Sequence, residues 1–413
     1  MEYKILIFAP HFSLPASNGA DILLVNRFVN LTEEGHQVTI FGSSAVYYFT
    51  SKSDYSAEPF FSQKRSSLRS ALKAVLTQTD YLYCKFITKE IRVAITSHLA
   101  SNSYDFIVAS FLYSAIALSL LSSSEKYIPD YCELHNDDWN WNRTLLRISS
   151  NSSVRDHIRR LFLNIVLASS SRFFTDNITT KFSRSTFISL SQKDLDSVSR
   201  KIRYGKHICI PPGVPERSNL NHNQYLSLRA DRDCSSLNLL FIGSLGCKMS
   251  LDAINFFFER FYIHFPDHLR CKCNLLVAGS NPSTRIYELS RKYSFHVFPN
   301  FPDSETDSLF IGSDFLIAPF PYTNGAKIKI FQALSYGLPI IGTNCVNPDD
   351  SCSFSSCLFS DDPCQWVDHL NHHKYLSLNV RYLLRCTLQN QSTSLNWTSR
   401  TEQLNSLLHA NAL

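Results

Sequence analysis

Short apolar runs of strand length alternate along this chain with stretches whose apolar residues recur at helical spacing. That alternation constrains the fold more than any other feature. Tyr3–Ala9 is an apolar run of strand length. Asp21–Glu34 then sets Leu24, Phe28 and Leu31 on one helical face, with Val25 and Val29 beside them. Gly35 stands where a helix stops on a left-handed residue, and Gln37–Phe41 is strand-like again, ending at Gly42. Further runs follow at Phe106–Ala109, Ile128–Cys132 and Thr186–Leu190. Strands and helices in strict alternation predict a parallel sheet covered on both faces.

The texture changes at Ile208-Cys-Ile-Pro-Pro-Gly-Val-Pro215, which leads into the polar stretch Glu216–Leu237 and reads as a linker. A second series opens at Leu237–Gly243 and continues through Asn274–Ala278, Phe295–Pro299, Phe315–Ala318 and Pro339–Ile341. The expectation is an α/β chain of two tandem Rossmann-like, doubly wound, parallel-sheet domains facing a cleft. Their bounds are set at 1–206 and 207–385, with a helical segment 386–413 packing back on the first domain. A length of 413 residues suits two or three domains. With 44% hydrophobic and 18% charged residues, each domain can bury a core instead of staying disordered.

Several classes are excluded. No apolar run reaches the 18 or so residues of a spanning helix. The first residues lack the basic and long apolar regions of a signal peptide and read as a strand, which points to a reducing, cytoplasmic setting. The cysteines are then thiols. Cys345, Cys352, Cys357 and Cys364, near His369, His372 and His373, do not show the paired spacing of a structural zinc site, so no metal is expected. The net charge of +5 comes from a basic excess in residues 1–206. It is too scattered for nucleic acid. No G-x-G-x-x-G follows a strand, which disfavours a dinucleotide-dependent oxidoreductase.

Glycine is scarce, at 12 residues in 413, under half the usual share of about 7%. Gly19, Gly42, Gly243, Gly246 and Gly279 fall at or just beyond the carboxyl ends of the predicted strands. Open parallel sheets bind their ligands at that edge.

The segment richest in chemistry is Pro319–Pro339. Ala326–Tyr336 reads as a helix, with Thr323 or Asn324 as its cap, Gly337 as its stop and Pro339 beyond. Lys327 and Lys329 then occupy the first turn, where the helix already carries about half a positive charge. No acidic residue lies between Asp314 and Asp349 to offset them. A bound phosphate or diphosphate would, through free backbone N–H groups and the two ammonium groups.

This segment resembles the donor-binding motif of retaining glycosyltransferases of the GT-B fold, in particular glycosyltransferase family 4. The match to G-x-x-x-K-[IV]-x-E-A-[LM]-A-x-G-x-P rests on Gly325, Lys329, Ala333, Gly337 and Pro339. Other blocks agree in order: Gly19-Ala-Asp, Gly35-His-Gln-Val-Thr39, Leu134-His-Asn-Asp137, Ile210-Pro-Pro-Gly-Val214 and Phe241-Ile-Gly-Ser-Leu245. The resemblance implies transfer of a sugar from a nucleotide-sugar donor to a saccharide or lipid-linked acceptor, with retention of configuration and without a metal or other cofactor. It implies catalytic roles for Lys329, at the leaving diphosphate, and His135, at the sugar or acceptor. The donor-binding set is Gly19, Gly243, Ser244, Lys248, Asn324, Gly325, Ala326, Lys327 and Gln332.

Two departures from the family pattern stand out. Its E-x7-E pair is replaced by Asn324 and Gln332; the amide keeps one acceptor oxygen and loses the charge. Its basic pair in the second domain's first loop is replaced by Ser244 and Met249, with Lys248 one residue away. These changes keep open a non-catalytic nucleotide-sugar-binding protein, beside a nucleotide-sugar 2-epimerase of the same architecture. Arg65, Arg69 and Lys73, with Leu68, Leu72 and Val75 alongside, form one amphipathic stretch. Arg155, Arg159 and Arg160 form a second. Both suit peripheral contact with an anionic membrane at the inner face of the plasma membrane.

Overall fold

The computed structural model describes residues 2–16, 19–60, 67–121, 127–134, 182–200, 202–229, 236–322, 327–348, 354 and 356–411. The chain divides into two compact units. One is residues 1–212 with 400–413, and the other is residues 213–323 with 327–399.

The first unit is built on an eight-stranded sheet. Its strands are β1 (Lys4–Phe8), β2 (Gln37–Phe41), β3 (Ala45–Phe49), β4 (Tyr55–Pro59), β5 (Phe106–Ser110), β6 (Tyr131–Leu134), β7 (Thr186–Ser189) and β8 (Lys206–Cys209). They lie in the order β4-β3-β2-β1-β5-β6-β7-β8. β1, β2 and β5–β8 run parallel. β3 and β4 add an antiparallel edge, which the expectation of a purely parallel sheet had missed. Side chains along a strand alternate between faces, and β1 uses both. Leu6 and Phe8 join a core with Ile91, Ile95, Leu112 and Ile116. Ile5 and Ile7 join the opposite core, with Leu24, Phe28 and the C-terminal Leu404, Leu407 and Leu408.

The units divide at 212/213, where the sequence placed the boundary at 206/207. The reason is β8, which pairs with β7 and completes the first sheet. At the C-terminus, the helix Leu378–Ser392 belongs to the second unit, while residues from Arg400 onward belong to the first. A buried ion pair anchors the end of the first unit. Arg27 pairs with Glu133 of β6 at 2.6 Å and donates to the carbonyls of Ile210 and Pro211. Burial pulls the Arg27 pKa down, and Glu133 opposes that shift.

The second unit carries a six-stranded parallel sheet of β9 (Leu237–Ser244), β10 (Cys273–Ser280), β11 (His296–Pro299), β12 (Phe315–Ala318), β13 (Ile340–Gly342) and β14 (Leu358–Phe359). Its order is β11-β10-β9-β12-β13-β14. Strand succession reverses between β9 and β12, so the switch point of a doubly wound sheet lies there. The core on one face is aromatic. Phe258 stacks on Tyr293 and Phe261 on Trp366, each at 4.0 Å between ring centres. Trp366 donates its indole N–H to the Ser360 carbonyl at 2.8 Å, so the ring is buried without an orphaned donor. Among the described residues no helix is long and apolar enough to cross a membrane.

Candidate functional site

The second unit's switch point gathers two helix N-termini. The helix Lys248–Phe256 follows β9, and the helix Ile328–Ser335 follows β12. Their N-caps, Cys247 and Lys327, make no side-chain capping hydrogen bond. Each terminus therefore presents N–H groups that its own cap does not occupy. Lys327 Nζ lies 2.9 Å from Met249 Sδ, which joins the two termini directly. The same ammonium sits 5.0 Å above the Phe320 ring.

Gly243 and Ser244 close β9 beside this point. Gly243 is in register with Gly279 of β10. Gly279 has φ +155°, and a Cβ there would stand 1.7 Å from the Gly243 carbonyl oxygen, so the strand end closes only around glycine. Ser250 Oγ would lie 3.3 Å from a Cβ at Gly243, which places the first turn of the helix over the strand end.

Lys329 is the second residue of its helix and partly buried. Its Nζ donates to Gln332 Oε1 at 3.1 Å. Burial lowers its pKa below the ordinary lysine value, and the nearby Asp303 carboxylate partly restores it. The absence of local acidic residues holds for the sequence alone. Tertiary folding brings Asp303 toward Lys329 from the turn Asp303–Glu305. The helix begins at Ile328, two residues later than the sequence suggests. Lys327 is thus its extended N-cap, with φ −90° and ψ 97°, and not a first-turn residue.

Lys248 forms a bidentate pair with Asp252 at 2.9 and 3.0 Å. The Asp252 carboxylate also accepts the Tyr322 hydroxyl at 2.6 Å. Burial and this bond raise the Tyr322 pKa. Asp252 ties the first helix to the loop after β12, and neither it nor Tyr322 stands out in the sequence reading. The i,i+4 spacing of Lys248 and Asp252 was the available signal. Gly19 opens the helix Gly19–Phe28 in the first unit and is exposed. His135, Asn324, Gly325 and Ala326 lie outside the described residues, as do Thr323, Arg65 and the stretch around Arg155–Arg160. Among the described residues no cluster of His, Cys, Asp and Glu is gathered for a metal ion.

The far end of the helix Ile328–Ser335 is fully accounted for. Leu338 N–H donates to Ala333 and Gly337 N–H to Leu334, both at 2.9 Å, in a Schellman arrangement with Gly337 at φ +59°. The next two carbonyls are taken from outside the helix. Gln389 Nε2 donates to Ser335 at 2.9 Å, and Arg385 Nη2 donates to Tyr336 at 3.0 Å.

Residues 236–372 match the family model for glycosyl transferases, group 1. The matched stretch lies within the second unit and contains both helices. No curated protein matches the chain. Among solved structures, sucrose-phosphate synthase from Thermosynechococcus elongatus is similar at 13% identity and TM-score 0.67, over 99% of this chain and 98% of that one. The catalytic domain of starch synthase IV from Arabidopsis thaliana, bound to ADP and acarbose, is similar at 12% identity and TM-score 0.65, over 100% of both chains. WaaG, a glycosyltransferase involved in lipopolysaccharide biosynthesis, is similar at 15% identity and TM-score 0.59, over 98% of this chain and 99% of that one. At these identities the likeness establishes the fold, two α/β units with parallel sheets of the GT-B kind.

Proposed function

We propose that this chain is a family 4 glycosyltransferase that moves a sugar from a nucleotide-sugar donor to a saccharide or lipid-linked acceptor with retention of configuration. The reading places it in polysaccharide, lipopolysaccharide or glycolipid assembly. The observation that carries it is Lys329, a partly buried lysine at a helix N-terminus beside the sheet's switch point. A partly buried cation at the positive end of a helix dipole suits a group that gains negative charge during reaction. A departing nucleoside diphosphate is such a group. In this reading Lys329, the backbone N–H groups at both helix N-termini, Gly243 and Ser244 meet the diphosphate, so the chemistry requires no metal. Gln332 offers an amide to the ribose, and Lys327 stands beside the phosphates. His135, Gly19, Asn324, Gly325 and Ala326 keep the roles that the family resemblance gives them. The group 1 domain match and the ADP held by the similar starch synthase support a nucleotide-sugar donor.

Membrane contact belongs to the same reading. In the helix Ser67–Leu76, Ser70 and Ala74 are buried, while Arg69, Leu72, Lys73 and Leu76 are exposed. Leucines between cations on an outward face suit an anionic bilayer surface, where a lipid-linked acceptor resides.

Incubation with a panel of nucleotide sugars, with and without an acceptor extract, tests the activity. Acceptor-dependent nucleotide release is expected, and Lys329→Ala should abolish most of it. Binding of nucleotides without release by any donor would instead mark a non-catalytic protein, and interconversion of the donor sugar would mark an epimerase.

A further inference from the structure

The helix Ile328–Ser335 is held from its C-terminal end by residues far from its lysines. Gln389 is buried, and both the amide N–H groups and the amide oxygen of its side chain are hydrogen-bonded. Its two N–H groups donate to Ser335 at 2.9 Å and to Ser218 at 3.2 Å, and its Oε1 accepts from Leu220 N–H at 3.1 Å. One amide therefore joins the end of the lysine-bearing helix to the backbone of Ser218–Leu220. A second rivet lies one residue earlier. The Arg217 guanidinium stacks over the Tyr336 ring at 3.8 Å and pairs with Asp307 at 3.0 Å, and the Tyr336 hydroxyl donates to the same carboxylate. Arg385 fixes the Tyr336 carbonyl and also binds those of Phe310, Ile311 and Ser313.

An α-helix is axially stiff, since each residue adds about 1.5 Å and hydrogen bonds run its length. Fixing the carbonyls at its end fixes the height of Lys329 about two turns away. We infer that Gln389 and Arg217 are positioning residues for the lysine-bearing helix, and that the segment Arg217–Leu220 forms part of the donor site's support. Neither residue touches the proposed diphosphate position, so both act through the helix. The inference rests on the donor reading above, but half of its test does not.

The experiment uses the full-length protein with Gln389→Leu, which keeps the side chain's bulk, and Arg217→Ala, a partly exposed position whose loss leaves the core intact. UDP, ADP and GDP binding is measured by calorimetry, donor and acceptor KM by kinetics, and amide exchange by mass spectrometry over residues 328–336. Both variants are expected to weaken binding of the preferred nucleotide by about five- to tenfold, roughly 1.0–1.4 kcal/mol. Donor KM should rise in step, with acceptor KM unchanged and exchange accelerated in 328–336. A purely structural role would lower the active fraction, hence kcat, and leave both KM values alone. If Gln389→Leu fails to fold, Arg217→Ala alone decides. Nucleotide affinity within twofold of wild type and unchanged exchange would overturn the inference. A wild-type protein that binds none of the three nucleotides would sink the donor reading, and the exchange of 328–336 would still judge the positioning role.

Discussion

Lys329 Nζ donates to Gln332 Oε1 at 3.1 Å, so the cation that the sequence marks for the diphosphate rests on a neutral amide one helical turn along. A carboxylate at position 332 would set a counter-charge beside that cation, whereas the amide orients it and adds no charge.

The first prediction concerns pH. Burial lowers the Lys329 pKa, with Asp303 opposing. Its charge is therefore lost at a lower pH than that of an ordinary lysine. Nucleoside diphosphate affinity should fall as pH rises, beginning below the usual lysine range of about 10.4. Lys329→Arg should move that fall to higher pH or remove it. Gln332→Glu should also move it upward, because a carboxylate beside the ammonium stabilises the charged form. Calorimetric titrations across pH 7–10 read both shifts.

The second concerns Gly337. Its φ of +59° is left-handed, and a Cβ there would stand 2.1 Å from the Arg385 carbonyl oxygen. The left-handed conformation alone costs an L-residue about 1–2 kcal/mol, and the clash adds to it. Gly337→Ala should destabilise the second unit by more than about 2 kcal/mol in urea unfolding.

The third concerns Asp314, a buried carboxylate that pairs with Arg229 at 2.8 Å and Arg381 at 3.0 Å and accepts the Asn238 N–H at 2.8 Å. Removing its charge leaves two buried guanidiniums without their counter-ion. Asp314→Asn should cost about 3–5 kcal/mol, read from the same unfolding curves.

The fourth concerns His373, buried against the Phe315 ring, with centroids 4.5 Å apart. Burial is the main cause that lowers its pKa from 6.5 to about 3. Below pH 6.5 the unfolded chain takes up a proton that the native state refuses, so stability falls as pH drops toward 3. Between pH 7 and 5 this one group accounts for a loss on the order of 2 kcal/mol. His373→Leu should lose correspondingly less stability than wild type over that interval.

The path from sequence to site was uneven for identifiable reasons. β2 and β12 match the predicted runs Gln37–Phe41 and Phe315–Ala318 residue for residue, because both are largely buried and bounded by strand-breaking residues. Gly337 was legible as a helix stop because its position relative to the last apolar turn is local information. The hairpin of β3 and β4 was not, since β4 is exposed along its length and carries no apolar pattern. Asp252 could have been found from its spacing to Lys248. Asp303 could not, because it approaches Lys329 only through the tertiary fold.

By itself, then, the sequence determined the alternating α/β architecture, the second series that opens at Leu237, and the two lysines and glycine stop around one helix. All of these rest on residues a few positions apart, where periodicity and local backbone preference act. Only the tertiary structure decided which charges remain available. It set Asp303 near Lys329, and it assigned the last carbonyls of the lysine-bearing helix to Gln389 and Arg385, more than 45 residues along the chain. Electrostatic and hydrogen-bonding partners are chosen by distance in space, and that distance exists only once the sheet has ordered its strands.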